Sequence, residues 1–398
     1  MTSVITSQPR HRIESIDILR GAVMLIMAID HIRDFYHGSP EPTDLSVTTP
    51  ILFFTRWITH FCAPTFVFLS GVSAYLAGMR RTENQLGIFL IRRGFWLLFV
   101  EVAIISLAIT LNPFYNVLIL QVIWAIGGSM MLLGLMIMLK IPIKVITAIG
   151  LIIFLGHNIF DIEKVDFINN SVAGKMFVSG AGFGAFVPFG PNRGMLVAYA
   201  LLPWSGVMFI GYGFGQLYRK TFDGARRRKI LRYTGLGVLV FFLVFRYFNV
   251  YGDPNPWAPQ KTISLSIISF FNTTKYPCSL LYLCMTLGVA LVVLSVTEGI
   301  KSRVASFIMV FGNVPFFYYV CHWYLIRLST VIVFFASGYN SSQIISPRQP
   351  ILFQPQGFGT TLLGVYGLWI IIITILYFPC RWFSNYKKTH DQWWLSYL

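Results

Sequence analysis

Apolar runs of roughly 20 residues, the length that spans a hydrocarbon core of about 30 Å, recur along this sequence from one end to the other. They fall near 16–37, 51–79, 94–111, 117–139, 145–160, 195–217, 233–250, 276–297, 304–336 and 358–380. A soluble domain could not cover so much apolar surface: 56% of the 398 residues are hydrophobic and only 12% are charged. The expected fold is therefore an all-α bundle of about ten transmembrane spans, a single transmembrane domain over 1–398. The stretches 161–194 and 251–275, rich in Gly, Pro, Asn and aromatics, read as loops packed against it. The Gly-rich "GAGFGAFVPFGPNRG" within the first of them lacks the preceding strand and the Lys-Ser/Thr ending of a phosphate loop. The first apolar run follows about fifteen polar residues, so it reads as a retained helix and not as a cleaved signal.

A net charge of +16 would suggest nucleic acid in a soluble protein, but the charge is sorted by side. With ten spans and an inside N-terminus, one set of segments holds Arg10, Arg12, Arg20, Arg80, Arg81, Arg92, Arg93, Lys140, Lys144, Lys301, Arg303, Arg381, Lys387, Lys388 and the cluster 219–232. These are 21 of the 31 basic residues, whereas the other side carries Glu41, Asp44, Asp161, Glu163, Asp166 and Asp253. The positive-inside rule then puts both termini in the cytoplasm and removes the need for a nucleic-acid partner. Cys62, Cys278, Cys284, Cys321 and Cys380 all lie in apolar runs without metal-ligand spacing, so they read as small core residues, and no metal site is expected.

Ionisable residues inside spans cost several kcal/mol unless they pair or face water, which makes them functional candidates. The first helix carries Asp30, His31, Arg33, Asp34 and His37 near its outer end, and Asp30, Arg33, Asp34 and His37 share a face. Arg56, His60, His157, Arg193, Arg246, Lys275, His322 and Arg327 fall at similar depth on later spans. Together they imply a polar layer that opens outward. Arg33 with Asp30 or Asp34 also fits an ordinary ion pair, and His60 fits a structural histidine equally well. At the inner end of the same helix, Asp17 stands fourteen residues before His31, about 21 Å of helix rise and within roughly 40° of the same face. The first helix can thus line both ends of one passage; alternatively, Asp17 merely pairs with Arg20 at i, i+3.

The segments "RIESIDILRGAVMLIMAIDH" (12–31), "PTFVFLSG" (64–71), "KYPCSLLYLCMTLG" (275–288) and "FGNVPFFYYVCHWYLI" (311–326) resemble the heparan-alpha-glucosaminide N-acetyltransferase family of membrane enzymes and its bacterial relatives. The resemblance implies a multi-pass protein of the inner (plasma) membrane. It also implies transfer of an acetyl group from cytosolic acetyl-CoA to an extracytoplasmic sugar amine or hydroxyl. His31 matches a position where lysosomal members carry Asn, and the outer segment that holds the family's catalytic His is not reproduced here. The base is therefore open among His31, His37 and His60.

Removing a proton from an amine or hydroxyl calls for a histidine oriented by a carboxylate, which Asp30 or Asp34 would supply to His31. Lys275 or His322 would stabilise negative charge or bind the acceptor, with Asp34 also on the acceptor side. Asp17, Arg20, Arg80, Arg81, Arg92 and Arg93 would form a cytosolic mouth for the CoA phosphates. The expected partners are membrane lipid, a sugar or glycan acceptor and, for a homodimer, a second copy of the chain. The competing reading is a transporter or exporter of a lipid-linked or small polar substrate; paired broken helices would favour it, and the sequence displays no such pair.

Overall fold

The computed structural model describes residues 13–37, 41–159, 165, 171–179, 185–345, 351–355, 357–390 and 392–396. Arg10, Arg12, Asp161, Glu163 and Asp166, which enter the charge asymmetry, lie outside the described residues. The helices are α1 (Glu14–Tyr36), α2 (Pro50–Thr59), α3 (Cys62–Gly78), α4 (Glu83–Phe99), α5 (Ser106–Thr110), α6 (Val122–Met138), α7 (Ile143–Gly156), α8 (Leu201–Phe214), α9 (Gly224–Phe248), α10 (Ile263–Phe271), α11 (Leu280–Thr297), α12 (Arg303–Asn313), α13 (Pro315–Ala336) and α14 (Leu362–Thr389).

Among the described residues, five helical stretches are long and apolar enough to cross a membrane: Pro50–Gly78, α9, α11, α13 and α14; α6 and α7 are apolar but shorter. On α9 and α14 the exposed residues include Leu236, Val240, Leu243, Ile370, Ile371, Ile375 and Phe378, an outward apolar face that suits lipid and not water. The chain is a membrane protein of mostly helical architecture.

Several spans depart from their expected limits for local reasons. The run 304–336 is two helices, because Pro315 has no N–H to continue the ladder and instead opens α13 at its first position. The run 51–79 breaks at His60 and Phe61: Pro64 cannot donate to the His60 carbonyl, which accepts instead from the Tyr282 hydroxyl at 2.9 Å. The helix of the third expected span, α4, starts at Glu83, eleven residues before the apolar run at 94, because Thr82 and Gln85 form a reciprocal capping box. Between α4 and α5 the chain makes one π-helical segment, Val100–Ile105.

A small sheet was not anticipated. Strand β1 (Val117–Leu120) pairs in parallel with β3 (Arg193–Val197), which pairs antiparallel with β2 (Ala185–Gly190). The helix of the fourth expected span, α6, consequently begins at Val122 and not near 117, and the described part of the Gly-rich segment is a hairpin. In the loop after α9, Asp253 accepts from the Thr274 backbone N–H (2.9 Å), the Thr274 hydroxyl (2.9 Å) and the Ser279 hydroxyl (2.7 Å), which fixes the entry to α11 next to Lys275.

Helix α1 is the hub, touching α2, α3, α11, α12, α13 and α14. It reaches α12 through a glycine contact: a Cβ on Gly21 would stand 2.1 Å from the Ile308 carbonyl, and one on Gly312 1.9 Å from that of Asp17. Backbones approach this closely in membrane bundles because water does not drive apolar helices together, so contact packing must. The five cysteines are free, four of them buried, as expected of core residues.

Candidate active site

On α1, the half-buried His31 meets the fully buried His322 of α13, with Nδ1 and Nε2 2.7 Å apart. The other ring nitrogen of His322, Nδ1, lies 3.2 Å from the Tyr318 carbonyl one turn earlier. A carbonyl can only accept, so in neutral His322 the Nδ1 carries the proton and the Nε2 accepts. His31 then donates its Nδ1–H to His322, which leaves the lone pair on its own Nε2 available to take a proton. Aromatic rings hold both imidazoles: Trp323 stacks on His31 with centroids 4.0 Å apart, and Tyr318 lies at 5.4 Å and 4° to His322. The pair has a fixed tautomer and a fixed plane, which is the arrangement a histidine needs to take up a proton.

The carboxylates do not orient it, contrary to expectation. Asp30 is held by Arg33 at 2.9 Å and by Arg56, both mostly buried, while Arg33 also reaches Asp34 at 2.5 Å. Two cations and two anions cancel, so this is an ion cluster that fixes α1 against α2. Asp30 is committed to it, and Asp34 keeps half of its side chain exposed on the same cluster.

His60 stands apart from the histidine pair, with its ring 5.5 Å from Tyr282 and its buried Nδ1 lacking a hydrogen-bond partner. His37 ends α1, its backbone N–H donating to Arg33 at 2.8 Å. Lys275 is half-buried, with Nζ 5.0 Å from the Tyr276 ring. His157 is structural: its Nε2 lies 2.9 Å from the Cys278 carbonyl and its Nδ1 3.0 Å from those of Ile153 and Phe154. Arg193 starts β3 in an exposed position.

The other end of α1 opens into a cavity of about 1650 Å³. Arg20, Arg80, Arg81, Arg93, Arg219, Lys220, Arg227 and Lys387 line it, against only Glu14, Asp17 and Glu298 among acids. Asp17 and Arg20 pair at 3.2 Å, and Arg20 also donates to the Ser73 hydroxyl at 3.0 Å, so the bland pairing and the cavity lining coexist. Arg92 is the exception, exposed and outside the lining, because a step of one residue turns it about 100° away from Arg93. Ile13 and Leu395 both line this cavity, so the two ends of the described chain share a face of the bundle.

A family model described as heparan-alpha-glucosaminide N-acetyltransferase, catalytic, matches residues 12–246, more than half of the chain. The chain belongs to this family. It is thus a membrane acetyltransferase by family, and the match runs from α1 through most of α9. No curated protein matches the chain. His322 and Lys275 lie beyond the segment matched to the N-acetyltransferase family, so the histidine pair joins a matched helix to one outside the match.

Sequence reasoning missed two further polar groups of this acetyltransferase core, Glu101 and Trp323. Glu101 is fully buried in the π-helical segment, with one carboxylate oxygen accepting the Gln121 backbone N–H at 2.5 Å and the other without a partner. π-bulges recur where a side chain is aimed at a functional centre, and a lone Glu within "WLLFVEVAIISLA" was the available signal. Trp323 follows His322 on α13 and is notable for its burial; Arg327, which the sequence reading placed in the polar layer, lies one turn further on and is fully buried.

Proposed function

We propose that this protein transfers an acetyl group from acetyl-CoA, bound at the basic cavity, to an amine or hydroxyl of a sugar or glycan held at the His31–His322 pair. The supporting observation is that both sites are carried by one helix: Asp17 and Arg20 line the cavity and His31 stands fourteen residues on, about 21 Å along the axis. The residues present suit the CoA end of the molecule. Eight cations against three carboxylates form a surface for several phosphate charges, and guanidinium groups hold phosphate oxygens in bidentate fashion. When bound, acetyl-CoA would supply an acetyl thioester, whose leaving group is the CoA thiol that carries away the acceptor's proton.

This chain's own residues do the rest. The Nε2 of His31 takes the proton from the acceptor nitrogen or oxygen, and His322 shares the charge that develops on His31 through the Nδ1–H bond. Lys275 and Asp34 would contact the acceptor, and His60 offers a second polar group to it. In this reading the basic cavity faces the cytoplasm, the histidine pair faces outward, and the protein is a multi-pass component of the inner membrane.

Arg92 and Arg93 give the test of the cofactor site. Loss of a charge-assisted contact weakens binding on the order of 10-fold or more, so Arg93→Gln should raise the Kd for acetyl-CoA by about that factor in calorimetry of the purified protein. Arg92→Gln should leave it unchanged. Equal effects of the two substitutions, or no acetyl-CoA binding by the unaltered protein, would remove the basis of the proposal.

A further inference from the structure

Helix α9 has one face that packs and one that does not. Leu231, Gly235, Phe242 and Arg246 are buried, and the packing is close: a Cβ on Gly235 would stand 2.7 Å from the Gly288 carbonyl of α11. The opposite face is exposed. Lys229, Arg232, Leu236, Val240, Leu243 and Tyr247 follow one another at steps of three or four residues, so they form one stripe along the helix. Its first turn is basic and the rest is apolar or aromatic. Tyr233, 68% exposed, stands at the change, and an amphipathic ring suits the level of lipid headgroups.

The protein does not answer the basic end of this stripe. No described carboxylate forms an ion pair with Lys229 or Arg232. Arg227 differs: its Nε donates to Glu298 at 3.0 Å and it lines the basic cavity, whereas Lys229 and Arg232 are outside that lining. Helix geometry separates them, since steps of two and five residues turn Lys229 and Arg232 about 160° and 140° away from Arg227. The Arg227–Glu298 pair also ties the start of α9 to the loop before α12, so the exposed Lys301 and Arg303 stand at the same end of the bundle and add to the positive charge there.

We propose that Lys229 and Arg232, with Tyr233 beside them, bind the phosphate of an anionic phospholipid whose acyl chain lies along Leu236, Val240 and Leu243. The guanidinium fork matches phosphate oxygens, and the long basic side chains can lie over apolar surface while their charged ends reach the headgroup. A zwitterionic phospholipid brings its own cation to the site, so a net anionic headgroup is the class that fits. Each basic residue at a membrane surface favours such a lipid by about 5-fold, and the two together by about 30-fold.

Thermal unfolding of the full-length protein in a nonionic detergent tests this, because a ligand that binds only the folded state raises its apparent stability. The probes are phosphatidylglycerol, phosphatidylcholine with the same chains, glycerophosphoglycerol and inorganic phosphate. Phosphatidylglycerol should raise Tm and saturate, and the other three should not raise it over the same range. Lys229→Gln combined with Arg232→Gln should raise the half-saturating phosphatidylglycerol concentration on the order of 10-fold or more. Each single substitution should raise it by about 5-fold, and these carry the test if the double variant does not fold. Lys140→Gln combined with Lys144→Gln removes two other exposed charges and should leave the titration unchanged. An equal response to phosphatidylcholine, or a response to phosphatidylglycerol that survives the double substitution at 229 and 232, would overturn the site. An equal response to glycerophosphoglycerol or inorganic phosphate would reduce it to a plain anion site and overturn the lipid. Saturating acetyl-CoA should not displace phosphatidylglycerol; displacement would put the anion in the basic cavity and overturn the assignment to the outer face of α9.

Discussion

His31 shows how far a single residue can be read before its neighbours are known. An ionisable pair, Asp30 and His31, set after "AVMLIMAI" is costly in a membrane, and that cost marked the position. Which group orients the histidine was not legible, because shared depth on several spans says nothing about which helices are adjacent. The structure gives that place to His322, while Asp30 goes to Arg33 and Arg56. Glu101 escaped because its buried placement depends on a π-helical segment that apolar periodicity does not reveal. A general base contributes about 10²- to 10⁴-fold, so His31→Ala should lower kcat by that order while acetyl-CoA affinity stays constant. The acid side of the kcat profile should also change: in the unaltered protein the rate falls as pH drops and His31 takes up a proton, and this limb should be absent from His31→Ala. Near-normal transfer by His31→Ala would move the base to His37 or His60.

At the scale of elements, hydropathy located the helices better than their ends. Apolar length merged α12 with α13 because both are apolar, and only Pro315 separates them. Capping chemistry explains the early start of α4, where "TENQ" precedes the apolar run by several residues. Strand β1 was absorbed into a helix because a four-residue apolar run has no period of its own. What holds the elements together is close backbone contact, and glycines differ sharply in this respect. A Cβ on Gly71 of α3 would lie 2.1 Å from the Met208 carbonyl of α8, whereas one on Gly237 of α9 meets nothing within 4 Å. Gly71→Ala should therefore lower stability by about 1–3 kcal/mol through overpacking. Gly237→Ala should be neutral or stabilising by up to about 1 kcal/mol, since a helix-interior glycine is replaced without a clash. Thermal unfolding in one detergent decides both, and a destabilised Gly237→Ala beside an unaffected Gly71→Ala would contradict the packing described.

Across the whole molecule, basic residues that the sequence sorts to one side also meet in space. Segments far apart in sequence, near Arg20, Arg80 and Arg81, Arg93, 219–227 and Lys387, converge on one cavity at one end of α1. The histidine pair lies toward the other end, so the acetyl donor and acceptor would approach from opposite faces. The side of the membrane on which each face lies is testable by the reaction itself. Protein reconstituted into sealed vesicles, with its orientation read from labelling of a single cysteine introduced in 219–232, is given acetyl-CoA on one side and the amino-sugar acceptor on the other. Transfer should occur when acetyl-CoA is on the side that labels 219–232 and the acceptor is on the opposite side, and it should stop when the two are exchanged; transfer only when both substrates share a side would contradict the two-ended site along α1.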